Sequence, residues 1–280
     1  MKTLLAKLFR LLFKIEFIKS RHFGIYKKIF KPLGLFDNVT CTIRQDGFRL
    51  RLKVDDWIQH KMYFVGGYEE SELQLLRNFV NEGNVFIDAG ANIGLYSLHA
   101  SKWVGSGGRV ISFEPLSANF SSLTDHISMN KLSNVRPEKL ALGNKNDLVT
   151  IAYDPTEKNL GMASTNHSDK GVKEKIKMIT LDSYLHDHAA DLKRVDFIKI
   201  DIEGHEYAAL TGMHSTLTTF RPALLIEILE DTTNPANEQN ILEYLKKMGY
   251  RKFFINDSGN LSETEQNPLR RNFLFTAQKL

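Results

Sequence analysis

Short apolar runs and stretches of helical spacing take turns along most of the chain. Unbroken or alternating apolar segments predict strands at Val85 to Ile87, Arg109 to Phe113, Val135 to Leu142, Val149 to Tyr153, Lys177 to Thr180, Val195 to Ile200 and Ala223 to Leu229. Between them, helical periodicity predicts helices ending at Trp103, from Ser117 to Met129, from His205 to Leu217, and over "NEQNILEYLKKMGY". Alternating β and α units at this spacing predict an α/β fold with a doubly wound, mostly parallel sheet. Ahead of it, "VTCTIRQDGFRLRLKVDD" predicts a hairpin turning at Asp46-Gly47. The next segment, "GGYEESELQLLRNFV", predicts a helix capped by Ser71, with Leu73, Leu75, Leu76, Phe79 and Val80 facing a core. The first twenty residues carry a third pattern. Lys7, Arg10 and Lys14 share one helical face, and Leu4, Leu5, Leu8, Phe9, Leu11, Leu12 and Phe13 make a wide apolar surface. The division this implies is residues 1–62 as a basic N-terminal helical arm with a small β-rich lead-in, and residues 63–280 as the main domain.

Charge sharpens that division. The formal +4 of the 280 residues hides an asymmetry: residues 1–31 hold nine Lys and Arg against Glu16 alone, a net of +8, and leave −4 for the remainder. A mildly acidic body argues against broad nucleic-acid binding, so no nucleic-acid partner is expected. The arm has two readings, a helix lying on an anionic membrane and a helix packed on the body with its lysines in water. Lys7, Arg10 and Lys14 interrupt any longer apolar stretch, which speaks against both a spanning helix and a signal peptide. The single cysteine, Cys41, allows no intramolecular disulfide and no cysteine-based zinc site. A cytoplasmic protein is the expectation, associated with the inner face of the membrane through residues 1–31 under the first of those two readings; oligomeric state is not legible.

The candidate chemistry gathers where apolar strands end. In "NVFIDAGANIGLYSLHA" a buried strand runs into Asp88, Gly90, Asn92 and Gly94. The spacing departs from the dinucleotide fingerprint, so a pyrophosphate cradle is poorly served. An acid ahead of the loop would repel phosphate and suits a ligand with an ammonium or sulfonium charge, and S-adenosylmethionine carries both. In "RVISFEP", Glu114 stands at the next strand end, where two acceptor oxygens match a ribose diol. The "LALGN" segment offers Ala141 and Leu142 as a small apolar wall with backbone amides for adenine.

A third strand end, "DFIKIDIEGHEYAAL", delivers Asp201, Glu203 and His205 to the same edge. Asp201 would hold an amino group or orient an acceptor hydroxyl, and Glu203 or His205 would take a proton from the attacking atom. A purely structural alternative makes these acids helix-start residues that complement the dipole. A divalent cation on Asp201, Glu203 and Glu227 has no diagnostic spacing, and no metal site is assigned. Tyr68, Glu69 and the polar segment "TEKNLGMASTNHSDKG" are secondary candidates for lining or covering an acceptor site.

Across roughly residues 63–230 the blocks "GGYEESELQLLRNFV", "FIDAGANIGLYS", "VISFEP", "NVRPEKLALGN", "ITLDSYL" and "VDFIKIDIEGHEYAALTGM" resemble, in order, those of FkbM-type methyltransferases. The resemblance implies a class I Rossmann-like methyltransferase using S-adenosylmethionine. Asp88, Gly90, Asn92, Gly94 and Glu114 match the cofactor motifs, and Asp201 to Glu206 match the family's signature block. It further implies a small-molecule or glycan acceptor, most often a hydroxyl of a sugar or secondary metabolite. The competing readings are a catalytically inactive binding protein on the same fold and an NAD-dependent oxidoreductase, which lacks its expected glycine spacing here.

Overall fold

The hairpin expected at Asp46-Gly47 forms. Strands β1 (Thr40–Gln45) and β2 (Phe48–Lys53) pair antiparallel, and both turn residues take positive φ, 52° and 84°, the turn sense whose twist matches that of the strands. The computed structural model describes residues 1–153, 172–228, 236–264 and 271–277. These fall into two compact units, Met1–Glu69 and the residues from Glu70 onward.

In the first unit the arm is a chain of short helices, α1 (Lys2–Leu12), α2 (Glu16–Lys19) and α3 (His22–Ile25), followed by a π-helical turn at Tyr26–Phe30. Helix α4 (Trp57–Phe64) follows the hairpin and is capped by Asp56, which accepts the Gln59 N–H at 3.0 Å. Aromatic rings join these pieces. Phe30 stands against Phe9, Phe13, Phe36 and Phe64 with ring centroids 4.9–6.1 Å apart. Arg10 Nε donates to the Tyr63 carbonyl at 2.9 Å. Two buried imidazoles, His22 and His60, lie 5.0 Å apart in this cluster, and His60 Nδ1 donates to the Val54 carbonyl.

The second unit is the α/β body. Helix α5 (Glu70–Phe79) starts one residue ahead of Ser71, so that serine lies in the first turn and does not cap it. Then come β3 (Val85–Ala89), α6 (Leu95–Val104), β4 (Arg109–Phe113), α7 (Ser117–Met129), β5 (Val135–Glu138), β6 (Ala141–Leu142), β7 (Asp147–Tyr153), β8 (Val172–Ile179) and α8 (Leu181–His188). The chain continues through β9 (Phe197–Ile200), α9 (Glu206–Thr211), α10 (His214–Phe220), β10 (Ala223–Glu227), α11 (Ala236–Lys247), β11 (Arg251–Ile255), β12 (Leu261–Ser262) and β13 (Asn272–Thr276). Eight strands form one sheet in the order β12-β11-β13-β10-β9-β3-β4-β5, with β10, β9, β3, β4 and β5 parallel and β13 antiparallel to both neighbours. Ile87, Ile111, Ile198 and Leu224 bury one face against Leu181, Leu210, Leu217 and Ile241 of α8 to α11. Phe86, Val110, Phe197 and Leu225 bury the other against Leu76 of α5 and Ala100 of α6. Helices on both faces of a mostly parallel sheet make the expected doubly wound, Rossmann-like architecture.

Two expected elements are divided. The strand expected over Val135 to Leu142 breaks after Glu138: β5 is the edge of the main sheet, where Pro137 with no N–H is tolerated, and β6 leaves to pair with β8 in a second, three-stranded sheet. The helix expected over His205 to Leu217 breaks at Gly212, whose Cα lies so close to the Gly143 carbonyl that a Cβ would overlap it. The polar segment at residues 156–171 lies outside the described residues. No helix among the described residues is long and apolar enough to cross a membrane.

Burial pushes His22 down to about 4 and His60 down to about 3, from an ordinary 6.5. Both imidazoles are therefore neutral in the folded unit, and their contribution to stability is present above pH 6.5 and lost as pH falls toward about 4. Trp57, stacked 5.8 Å from His22, is the reporter. Its fluorescence-monitored denaturation midpoint is expected to fall between about pH 7.5 and about pH 5, and His22→Phe to remove roughly half of that drop.

Candidate active site

Strand register builds a polar row inside the sheet. Asp88 of β3 pairs with Ser112 of β4 on one side and Lys199 of β9 on the other, so three polar side chains share the face under α6. Ser97, on the first turns of α6, donates to Asp88 Oδ2 at 2.5 Å and bonds Ser112 Oγ at 2.7 Å. Asp88 Oδ1 has no hydrogen-bond partner and faces Lys199 Nζ 3.9 Å away. Lys199 is 4% exposed. Its ammonium donates to the Gly90 carbonyl and to Asp201 Oδ2, both at 3.0 Å, and lies 5.1 Å over the Tyr96 ring. Burial raises the Asp88 carboxyl, and Lys199 and Ser97 pull against that rise. One cation thereby joins the ends of β3 and β9, the point where strand order reverses and where open α/β sheets bind ligands.

The loop after β3 is fixed from all sides. Gly90 and Gly94 take φ of 80° and 96°, and Asn92 φ of 51°. A Cβ on Gly90 would overlap the Asp201 carbonyl oxygen, so glycine here permits the two strand-end loops to touch. The Gly90 and Ala91 N–H groups both donate to the Phe113 carbonyl, at 3.0 and 2.9 Å, and Gly94 N–H to the Ala91 carbonyl. Asn92 N–H donates to Glu114 Oε2 at 2.8 Å, while Glu114 Oε1 accepts from Leu116 N–H at 2.9 Å. Four loop amides that a phosphate cradle would need are thus engaged within the protein, and the rim is left acidic. Glu114 is 4% exposed, and burial lifts its carboxyl to about 7 despite these two N–H partners.

Beyond β9 the chain turns sharply at Glu203 and Gly204, with φ of 54° and 90°. A glutamate in the left-handed region costs about 1 kcal/mol. Glu206 holds the turn: Oε1 accepts from Ile202 and Gly204 N–H groups at 3.2 and 3.0 Å, and Oε2 from Asn237 of α11. This buried carboxylate is structural, whereas Asp201, Glu203 and His205 on the same turn are half-buried. Burial would raise Asp201, yet Lys199 and a hydrogen bond with Glu227 at the end of β10 bring it below its ordinary value. Burial, then the charges of Asp201 and Glu206, push Glu203 up to about 8. Burial lowers His205, so its imidazole is neutral at neutral pH.

Ala141 and Leu142 form β6 in the second sheet, opposite Met178 and Ile179 of β8. Tyr68 and Glu69 belong to the first unit. Among the described residues no group of three or more His, Cys, Asp or Glu has metal-binding geometry, the set Asp201, Glu203 and Glu227 included. Lys199, Ser97 and Ser112 escape a reading by motif. The signal for Lys199 is a lone lysine inside the apolar strand "FIKI", where a buried charge calls for a partner.

The donor set fits S-adenosylmethionine. Asp88, Glu114, Asp201 and Glu203 surround a single buried cation; Asp201 is held ionised, and a positively charged nucleoside would favour ionisation of the raised Glu114 and Glu203, where a pyrophosphate would oppose it. Lys199→Met is expected to lower stability by about 3–5 kcal/mol in chemical denaturation, because buried Asp88 and half-buried Asp201 lose their counter-charge, and Asp88→Asn in the same chain should recover part of it. Glu114 and Glu203 have folded values of about 7 and about 8 against an ordinary 4.5, so the stability they favour is full below pH 4.5 and is lost as pH rises toward about 8. The body should therefore melt lower at about pH 8 than at about pH 6, and Glu203→Gln should shrink that difference.

The family model of the methyltransferase FkbM domain matches residues 88–252. Methyltransferase 1 of Beauveria bassiana is 22% identical over 178 residues, 58% of this chain and 71% of that protein. The hexuronic acid methyltransferase AglP of Haloferax volcanii is 24% identical over 192 residues, 67% of this chain and 75% of that one. Among solved structures, the methyltransferase FkbM of Methylobacillus flagellatus shares the fold with a TM-score of 0.50 at 16% identity, over 78% of this chain. This chain covers 52% of that structure's length. The family match takes in both strand-end loops that Lys199 joins, and this chain belongs to the FkbM family of S-adenosylmethionine-dependent methyltransferases.

Proposed function

We propose that the chain transfers a methyl group from S-adenosylmethionine to a hydroxyl oxygen of a sugar, glycan or secondary metabolite. The observation that carries this reading is the acid-rich rim at the β3–β9 switch point, with its loop amides engaged and Glu203 poised on a turn beside it. Asp88, Gly90, Asn92, Gly94 and Glu114 would hold the cofactor, Glu114 through the lone pairs that its two N–H partners leave for a ribose diol. Ala141 and Leu142 are the candidates for the adenine side. When bound, the cofactor supplies a methyl group already activated by sulfonium. The protein's work is then to align the acceptor, exclude water and accept a proton.

Asp201, held ionised beside Lys199, orients the acceptor hydroxyl or the cofactor's amino group. Glu203 would receive the hydroxyl proton as the acceptor oxygen bonds the methyl carbon in place of the sulfur; a carboxylate raised to about 8 is a stronger base than an exposed one. Neutral His205 is the alternative acceptor of that proton. The sugar reading draws support from the Haloferax relative, whose name gives a hexuronic acid as its substrate. Nucleic acid is not among the proposed acceptors, in keeping with the acidic balance of residues 32–280.

Titration calorimetry should show S-adenosylmethionine binding and none for NAD; the reverse result would return the fold to an oxidoreductase, and binding of neither would favour an inactive fold. With uronic-acid glycosides as acceptors, the rate should rise with pH up to about 8. Glu203→Gln should lower kcat about a hundredfold or more and abolish that limb, with cofactor affinity retained. Glu114→Gln should act the other way round, weakening cofactor binding about tenfold.

A further inference from the structure

Helix α1 is apolar on two sides, where a surface helix of a globular protein is apolar on one. Its inward side is held by the ring cluster: Ala6 and Phe13 are buried, Phe9 packs on Phe30 and Phe36, and Arg10 is tied to the Tyr63 carbonyl. Its outward side is leucine. Leu4, Leu8 and Leu11 are 74%, 53% and 59% exposed and fall on one stripe at i, i+4 and i+7, continued past the helix end by Ile15. Lys7 and Lys14, both exposed, lie along one border of that stripe. The same unit also exposes Phe17, Phe23, Ile29 and Leu33. Singly exposed apolar residues mean little, but a full stripe on the solvent side of a helix already docked by its other face marks an interaction surface.

We propose that this face of the first unit docks onto an anionic lipid bilayer, with Leu4, Leu8 and Leu11 in the acyl boundary and the flanking lysines at the headgroups. Charge selects the occupant. Residues 1–31 carry a net +8 with Glu16 as the one acid, which favours a negative surface and sets two copies of the arm against each other. The leucines alone would suit any apolar partner; leucines bordered by lysines suit the interface of a charged membrane. Binding would be peripheral, because α1 spans eleven residues and is too short to cross. This surface is independent of the methyl-transfer reading.

The test is co-sedimentation of the full chain with phosphatidylcholine vesicles and with phosphatidylcholine–phosphatidylglycerol vesicles, at low and high salt. Binding is expected to the anionic vesicles only and to fall with salt. Leu8→Glu combined with Leu11→Glu should reduce it more than tenfold, and Lys7→Gln or Lys14→Gln about fivefold each. All four side chains are exposed, so circular dichroism and Trp57 fluorescence should match the parent. Equal binding to both vesicle types, no binding, or light scattering that shows a dimer dispersed by Leu8→Glu/Leu11→Glu would overturn the proposal.

Discussion

The Lys199 ammonium is the constraint on which the rest of the site depends. It sits in the sheet interior opposite Asp88, beside Asp201 and beneath the Gly90 carbonyl. A lysine taken out of water at such a place is costly unless its partners are close and rigid. Here they come from its own strand end, Asp201, and from the distant stretch Asp88–Gly90, so its burial and the geometry of the rim are one condition. If β3 and β9 slipped by a residue, Lys199 and Asp88 would point to different faces. The ion pair thus acts as a register lock for the loops it joins.

Around that lock, the electrostatics have a direction. Carboxylates outnumber cations, burial raises most of them, and the one held low, Asp201, is the one nearest the ammonium. The loop amides that might have answered with positive dipoles point instead at Phe113, Ala91 and Glu114. A charge-bearing nucleoside entering such a rim stabilises the ionised form of its neighbours. Its binding and the protonation of Glu114 and Glu203 are therefore linked equilibria.

Much of this was legible in the chain. The apolar runs, the glycine spacing after Asp88 and the acid at Glu114 located the strand ends, because these features are local and carry their own chemistry. The hairpin at Asp46-Gly47 was equally local. Lys199 was not, since its meaning lies in a register with a residue 111 positions earlier in the chain. Neither was the structural use of Glu206, which depends on Asn237 from another helix. The broken helix at Gly212 and the end of β6 meet where Gly212 lies against the Gly143 carbonyl, a contact that periodicity within either segment does not encode.

The placement of β13 has a consequence for how the body is made. Asn272–Thr276 inserts between β10 and β11 and pairs with both, so the strand in the middle of that half of the sheet comes last among the described strands. A nascent chain emerging from the ribosome must keep the inner edge of β10 uncovered, with Leu224 and Ile226 beside it, until residue 276 is out. Closure of the sheet is for that reason a late, long-range event in synthesis. The waiting edge is where a chaperone, or another nascent chain, would find a strand to pair with.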